Sequence, residues 1–126
     1  SGDRVGVVGF CMGGMLSFVI GAVAGDKVGA VVPFYGAPLG DGGPDWSNLS
    51  APIQGHFAEN DDFFPPDAVN ALGEKLEAMG KSVTIYVYPG TGHAFAGDHN
   101  ALGTFDNAAA AQAWSRTLEF LRKNLT

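Results

Sequence analysis

Three side chains in this sequence could together carry out nucleophilic catalysis: the thiol of Cys11, a carboxylate at Asp61 and the imidazole of His93. Cys11 is the only cysteine, so an internal disulfide and a cysteine-rich zinc site are both excluded. A lone cysteine with His and Asp elsewhere in the chain is a candidate nucleophile. It stands in Gly9-Phe10-Cys11-Met12-Gly13-Gly14. This is the cysteine form of the G-x-S-x-G turn, which lifts a nucleophile off the end of a strand at the start of a helix. Side chains two residues before and after the nucleophile would collide with neighbouring backbone, so Gly9 and Gly13 suit those places. The helix start is expected to lower the thiol pKa, and the Met12 N–H to supply one oxyanion donor. The commoner fate of a lone cysteine is a buried small hydrophobe, but its setting in this turn argues otherwise. Phosphate binding is the other use of a glycine-rich strand-to-helix turn. The G-x-G-x-x-G and Gly-Lys-Ser/Thr spacings are absent.

The acid lies in Gly55-His56-Phe57-Ala58-Glu59-Asn60-Asp61-Asp62-Phe63-Phe64-Pro65-Pro66. Asp61 falls a few residues past an apolar run, with Asp62 as its rival. Asp67 reads as first-turn helix chemistry and Glu59 as solvated. The base lies in Pro89-Gly90-Thr91-Gly92-His93-Ala94-Phe95. His56, inside an apolar run, reads as structural, and His99, in a polar loop, as exposed. The chain order is nucleophile, acid, histidine, which is the triad order of α/β-hydrolases.

These groups need elements to position them. Apolar runs at Arg4–Gly9, Val28–Tyr35, Pro52–Ala58 and Ser82–Tyr88 read as strands. Helical patterns cover Met12–Ala24, Pro66–Met79 and Asp106–Leu125, with Gly80 placed to end the second. In the last helix Trp114, Leu118, Leu121 and Leu125 form one apolar stripe. Runs that are apolar throughout suit a parallel sheet covered on both faces. The alternation predicts an α/β fold: an open, mainly parallel sheet of about four strands flanked by helices. Right-handed crossovers put the strand C-terminal ends on one edge, where ligand groups collect. Cys11, Asp61 and His93 all fall there.

Length and composition agree with one domain over residues 1–126. The net charge is −6 with no run of Lys or Arg. Nucleic acid and acidic membrane surfaces are therefore poor partners. No segment reads as a secretory signal or a membrane span, so a cytoplasmic protein is expected.

GFCMGG, APIQGHFAENDDFFPP and VYPGTGHAFAGD together resemble the dienelactone hydrolase family of α/β-hydrolases. The closing Ala113-Trp114-Ser115-Arg116-Thr117-Leu118 is similar to that family's last helix. The resemblance implies a cysteine nucleophile at Cys11. It places the acid at Asp61 rather than Asp62, and the base at His93. It covers only the C-terminal half of the family fold, so the fold expected is a truncated α/β-hydrolase. In the family, the other half supplies a second oxyanion donor and a glutamate near the thiol. The family also carries an arginine shortly after its histidine, whereas Ala94–Asp98 holds no Arg or Lys.

The expected activity is hydrolysis of small carboxylic esters or lactones through a thioester, with no cofactor and no metal. Phe10, Phe63 and Phe95 are expected to bind substrate. Trp46 and Phe64 could line the same apolar pocket or belong to the core. The first strand would present an unpaired apolar edge, and such edges pair with something, so a homodimer is expected. The alternatives are a non-catalytic ligand- or partner-binding half-domain with a vestigial site, and a redox-sensing thiol.

Overall fold

The computed structural model describes residues 4–39, 43–96 and 106–125. The elements are β1 (Val5–Phe10), α1 (Met12–Ala24), a 3₁₀ turn (Gly25–Lys27), β2 (Val28–Phe34), β3 (Ile53–Ala58), α2 (Pro66–Ala78), β4 (Val83–Tyr88) and α3 (Asn107–Leu125). All strand pairs are parallel, in the order β1-β2-β3-β4. The fold is the expected open parallel sheet flanked by helices.

Helices cover both faces. α1 and α2 bury Phe18, Ala22, Val69 and Leu76 against Val31, Ile53 and Phe57 on one face. α3 packs Ala113 near Val32, Phe34 and Tyr88 on the other. β2 and β3 are buried at every position, which is why β2 reads as an unbroken apolar run and β3 as one interrupted only by Gln54 and His56. β1 and β4 are edges and are largely uncovered. For them, continuous apolarity did not mean burial on both faces. Pro33 has no N–H to give a ladder. The recorded β2–β3 pairs, Val31–Ile53 and Phe34–His56, lie on either side of it.

The helix ends follow local chemistry. Gly80 takes φ 82°. Its N–H donates to the Glu77 carbonyl at 2.9 Å, and the Lys81 N–H to the Leu76 carbonyl at 3.0 Å. That is a Schellman ending, as Gly80 led one to expect. α3 begins one residue later than its pattern suggested, because Asp106 caps it. The Asp106 carboxylate accepts from the Ala109 N–H at 2.9 Å. α3 is also turned relative to its apolar stripe. It buries Ala110, Ala113 and Thr117, small residues that allow close approach to the sheet. Trp114 and Leu118 stay 39% and 50% exposed. Among the described residues, no helix is long and apolar enough to cross a membrane.

Between β3 and α3 lies a closed polar network. His56 Nδ1 bonds the Tyr88 hydroxyl at 2.8 Å, and its Nε2 bonds the Gln54 Oε1 at 2.9 Å. Phe34 and Tyr86 stack on the two sides of the ring. His56 is structural, as expected. Burial first, and the Arg116 charge second, push its pKa from 6.5 down to about 3. The unfolded chain therefore takes a proton below pH 6.5 that the folded chain refuses. The stability tied to the neutral ring is complete above pH 6.5 and is lost as pH falls from there toward 3. Urea melts at pH 7 and pH 4.5 should show His56→Gln with a shallower pH loss than wild type, by roughly 2–3 kcal/mol. Equal losses would contradict the account.

Candidate functional site

The site sits where β1, β3 and β4 end. Cys11 is the single residue between β1 and α1, at φ 56° and ψ −122°. Its N–H donates to the Phe34 carbonyl at 3.0 Å, which ties the turn to β2. Backbone crowding explains the glycines around it. A Cβ on Gly9 would stand 2.0 Å from the Gly13 carbonyl oxygen, and one on Gly36 1.8 Å from that of Cys11. The expectation for Gly13 is corrected: a Cβ there meets nothing within 4 Å. Gly14 is the constrained one, 2.8 Å from the Phe34 carbonyl oxygen. Cys11, Tyr35 and Ala94 are the three non-glycine residues at positive φ among the described residues. All three border this site, where strained backbone tends to gather.

Asp61 is buried, whereas its rival Asp62 is exposed. The Asp61 Oδ1 accepts from the N–H groups of Phe63 at 2.8 Å and Phe64 at 3.0 Å. Its Oδ2 is 2.7 Å from His93 Nδ1. The two loops involved are laced together. The Asn60 N–H donates to the Thr91 carbonyl at 2.9 Å, and the Gly90 N–H to Glu59 Oε1 at 2.9 Å. Three rings then box the imidazole: Phe63 at 5.1 Å, Tyr35 at 5.3 Å and Phe64 at 5.9 Å.

Cys11 and His93 line one apolar cavity of about 520 Å³ with Met12, Met15, Phe63 and Phe64. Burial first, and the Asp61 charge second, raise the Cys11 pKa above its ordinary value. This corrects the expectation of a thiol acidified by the helix start. Met12 opens α1, whose start carries no side-chain cap, so its N–H has no partner within the helix.

A sequence profile of the dienelactone hydrolase family matches residues 1–125. The chain belongs to the dienelactone hydrolase family. It is 36% identical over 126 residues to "Protein usf" of Aquifex pyrophilus, covering all of this chain and 54% of that protein. It is 30% identical over 128 residues to an Escherichia coli K12 protein assigned by name as a carboxymethylenebutenolidase, covering 95% and 46%. A crystal structure from Klebsiella pneumoniae, assigned by name as a dienelactone hydrolase, superposes with a TM-score of 0.84 at 28% identity. It is covered to 53%, against 97% of this chain. The chain thus spans about half the length of the relatives it matches. As a member of this family it carries a hydrolase's α/β fold, over the half that bears Cys11, Asp61 and His93.

Two of the expected substrate residues lie elsewhere. Phe10 faces α3, with ring centroids 4.8 Å from Phe34 and 5.7 Å from Trp114. Phe95 is wholly buried beneath Tyr35 and Tyr88. Only Phe63 lines the cavity, joined by Phe64. Trp46 belongs to the core beside Phe18. His99 lies outside the described residues. Met15 and Tyr35 were not anticipated. Met15 could have been placed one helical turn past Cys11, whereas Tyr35 looks in sequence like the end of an apolar strand.

The glycine geometry is testable by urea unfolding. Gly13→Ala should be neutral or stabilising by up to about 1 kcal/mol, since the site is open and helical. Gly9→Ala should cost at least about 2 kcal/mol, because backbone must move. Equal costs would contradict the crowding described.

Proposed function

We propose that this chain hydrolyses small carboxylic esters or lactones, with Cys11 as nucleophile, His93 as general base and Asp61 as the orienting acid. The observation that carries this reading is the 2.7 Å His93–Asp61 contact beside a thiol that shares the imidazole's apolar cavity. The His93 Nδ1–H donates to Asp61, which makes Nε2 the ring nitrogen that carries the lone pair for the thiol proton. Because the resting thiol is held protonated, that transfer accompanies attack on the carbonyl carbon. The sulfur–carbon bond forms and the carbonyl oxygen becomes the oxyanion, which the Met12 N–H receives. His93 returns the proton to the departing alkoxide and leaves a thioester. It then takes a proton from water, which attacks the thioester, releases the acid and restores the thiol.

The cavity lining of Met12, Met15, Phe63 and Phe64 favours an uncharged acyl group. A second oxyanion donor is needed beside Met12, and lacking one would cost about 2.7–4 kcal/mol. The homodimer belongs to the same reading. Among the described residues, the outer edge of β1 pairs with no strand. Val8 and Phe10 on β1, Leu16, Ile20 and Val23 on α1, and Trp114 and Leu118 on α3 all stand exposed around it. A second copy covering this surface could also complete the site.

Hydrolysis of p-nitrophenyl acetate tests the nucleophile. Wild type should turn over and Cys11→Ala should not, while Asp61→Asn should be slowed on the order of 10³-fold or more. Equal rates in wild type and Cys11→Ala would remove Cys11 from the mechanism. Inactivity of all three, on this ester and a panel of lactones, would favour a binding half-domain. Light scattering after size exclusion should give twice the chain mass, and an active monomer would overturn the dimer.

A further inference from the structure

A second cleft opens at the other end of the sheet, where the strands begin. It lies between the starts of β3 and β4 and helix α3, and encloses about 480 Å³. The register sets Gln54 beside Thr84 and His56 beside Tyr86. Strand alternation turns these four side chains to the α3 face. Arg116, Glu119 and Lys123 of α3 line the opposite side. None of these groups belongs to the Cys11 cavity.

Gln54 is the buried end of this cleft, only 7% exposed, and its neighbours fix which way its amide points. The Thr117 hydroxyl spends its one hydrogen on the Ala113 carbonyl at 2.8 Å. Its oxygen, 3.3 Å from His56 Nε2, can then only accept. Nε2 therefore carries the ring hydrogen and donates it to Gln54 Oε1 at 2.9 Å. The Gln54 amide N–H groups are left turned to the cleft, and no described residue accepts from them. A buried donor left unmatched calls for an acceptor. Two cations stand beside it. The Arg116 guanidinium lies over the Tyr86 ring, 4.1 Å from its centroid, and 5.5 Å from that of Tyr88. The rings steady it without occupying its N–H fork as a carboxylate would. Helical spacing would let Glu119 pair with Arg116 or Lys123. Among the described residues neither cation forms an ion pair. Two cations against one exposed carboxylate make this a positive spot in a chain of net charge −6.

We propose that this cleft binds a small phosphorylated polyol, with the phosphate seated among the Arg116 fork, the Lys123 ammonium and the Gln54 amide. A guanidinium gives an oxyanion two parallel charge-assisted bonds. A tetrahedral phosphate has a further oxygen for the Gln54 amide, which a planar carboxylate lacks once both its oxygens are taken. The cleft is roomier than a bare phosphate needs. Ser82 and Thr84 line it as well, and their hydroxyls suit a ligand body that carries hydroxyls of its own. The site lies where the strands start, whereas Cys11, Asp61 and His93 lie where they end. It stands whether or not Cys11 is a nucleophile.

The test is an NMR titration that follows the Gln54 side-chain amide and the Arg116 Nε–H. The probes are glycerol 3-phosphate and inorganic phosphate, with glycerol and chloride as controls at matched ionic strength. Both phosphates should shift these signals saturably, the ester more tightly, and the controls should not. Arg116→Gln should weaken the ester by about tenfold or more. Lys123→Gln, at an exposed position, should weaken it by about threefold and serves if Arg116→Gln does not fold. Glu119→Gln should tighten it by about twofold. Shifts that never saturate, or that ignore all three substitutions in folded protein, overturn the proposal. So does saturation seen at His93 and Phe63 instead, which would put the phosphate in the Cys11 cavity. Equal affinity for ester and inorganic phosphate overturns the polyol.

Discussion

Everything at this site depends on how closely the end of β2 approaches the turn after β1. The Cys11 N–H is bonded to the Phe34 carbonyl, and Gly36 and Gly14 pack backbone to backbone against Cys11 and Phe34 with no room for a Cβ. Main-chain atoms in such contact cannot drift without breaking a buried hydrogen bond, which is expensive to leave unmade. The unusual φ and ψ of Cys11 are imposed by this contact rather than chosen by the residue. The thiol is therefore aimed by two strands together, and the parallel sheet sets their relation.

The second pair of strand ends supplies the partner groups by a different device. Asp61 is fixed by the N–H groups of its own loop, and His93 by Asp61 and three rings. The loops after β3 and β4 bond to each other before either meets the thiol. A carboxylate and an imidazole preassembled in this way fix the ring's orientation without help from the cysteine.

Cys11, Asp61 and His93 were legible in the sequence because each sits in a short polar or glycine-rich segment just past an apolar run. The fold class was legible for the same reason, since β2 is apolar throughout and β3 nearly so, and both are buried at every position. What was not legible is orientation. Phe10 and Cys11 are neighbours, yet strand alternation sends Phe10 to the α3 face. Phe95 is two residues from His93, and the turn at Ala94 folds it into the core. The burial that Trp114 and Leu118 suggested goes instead to Ala110, Ala113 and Thr117, because closeness to the sheet selects small residues. Tyr35 hid as the last letter of an apolar run, and its place against His93 comes with a positive φ that no pattern announces. The thiol's raised pKa likewise follows from burial, which spacing alone does not reveal.

The crowding around Cys11 also separates scaffold from reactivity. Every constraint that shapes the turn acts on carbonyls, amides and absent β-carbons, and none acts on sulfur. The backbone specifies a location and a direction, and is indifferent to the element placed there. A hydroxyl-bearing side chain at the same position would inherit the same aim. This architecture can thus change the atom it presents at that position and keep its shape, so side-chain chemistry can diverge among related chains faster than the frame that presents it.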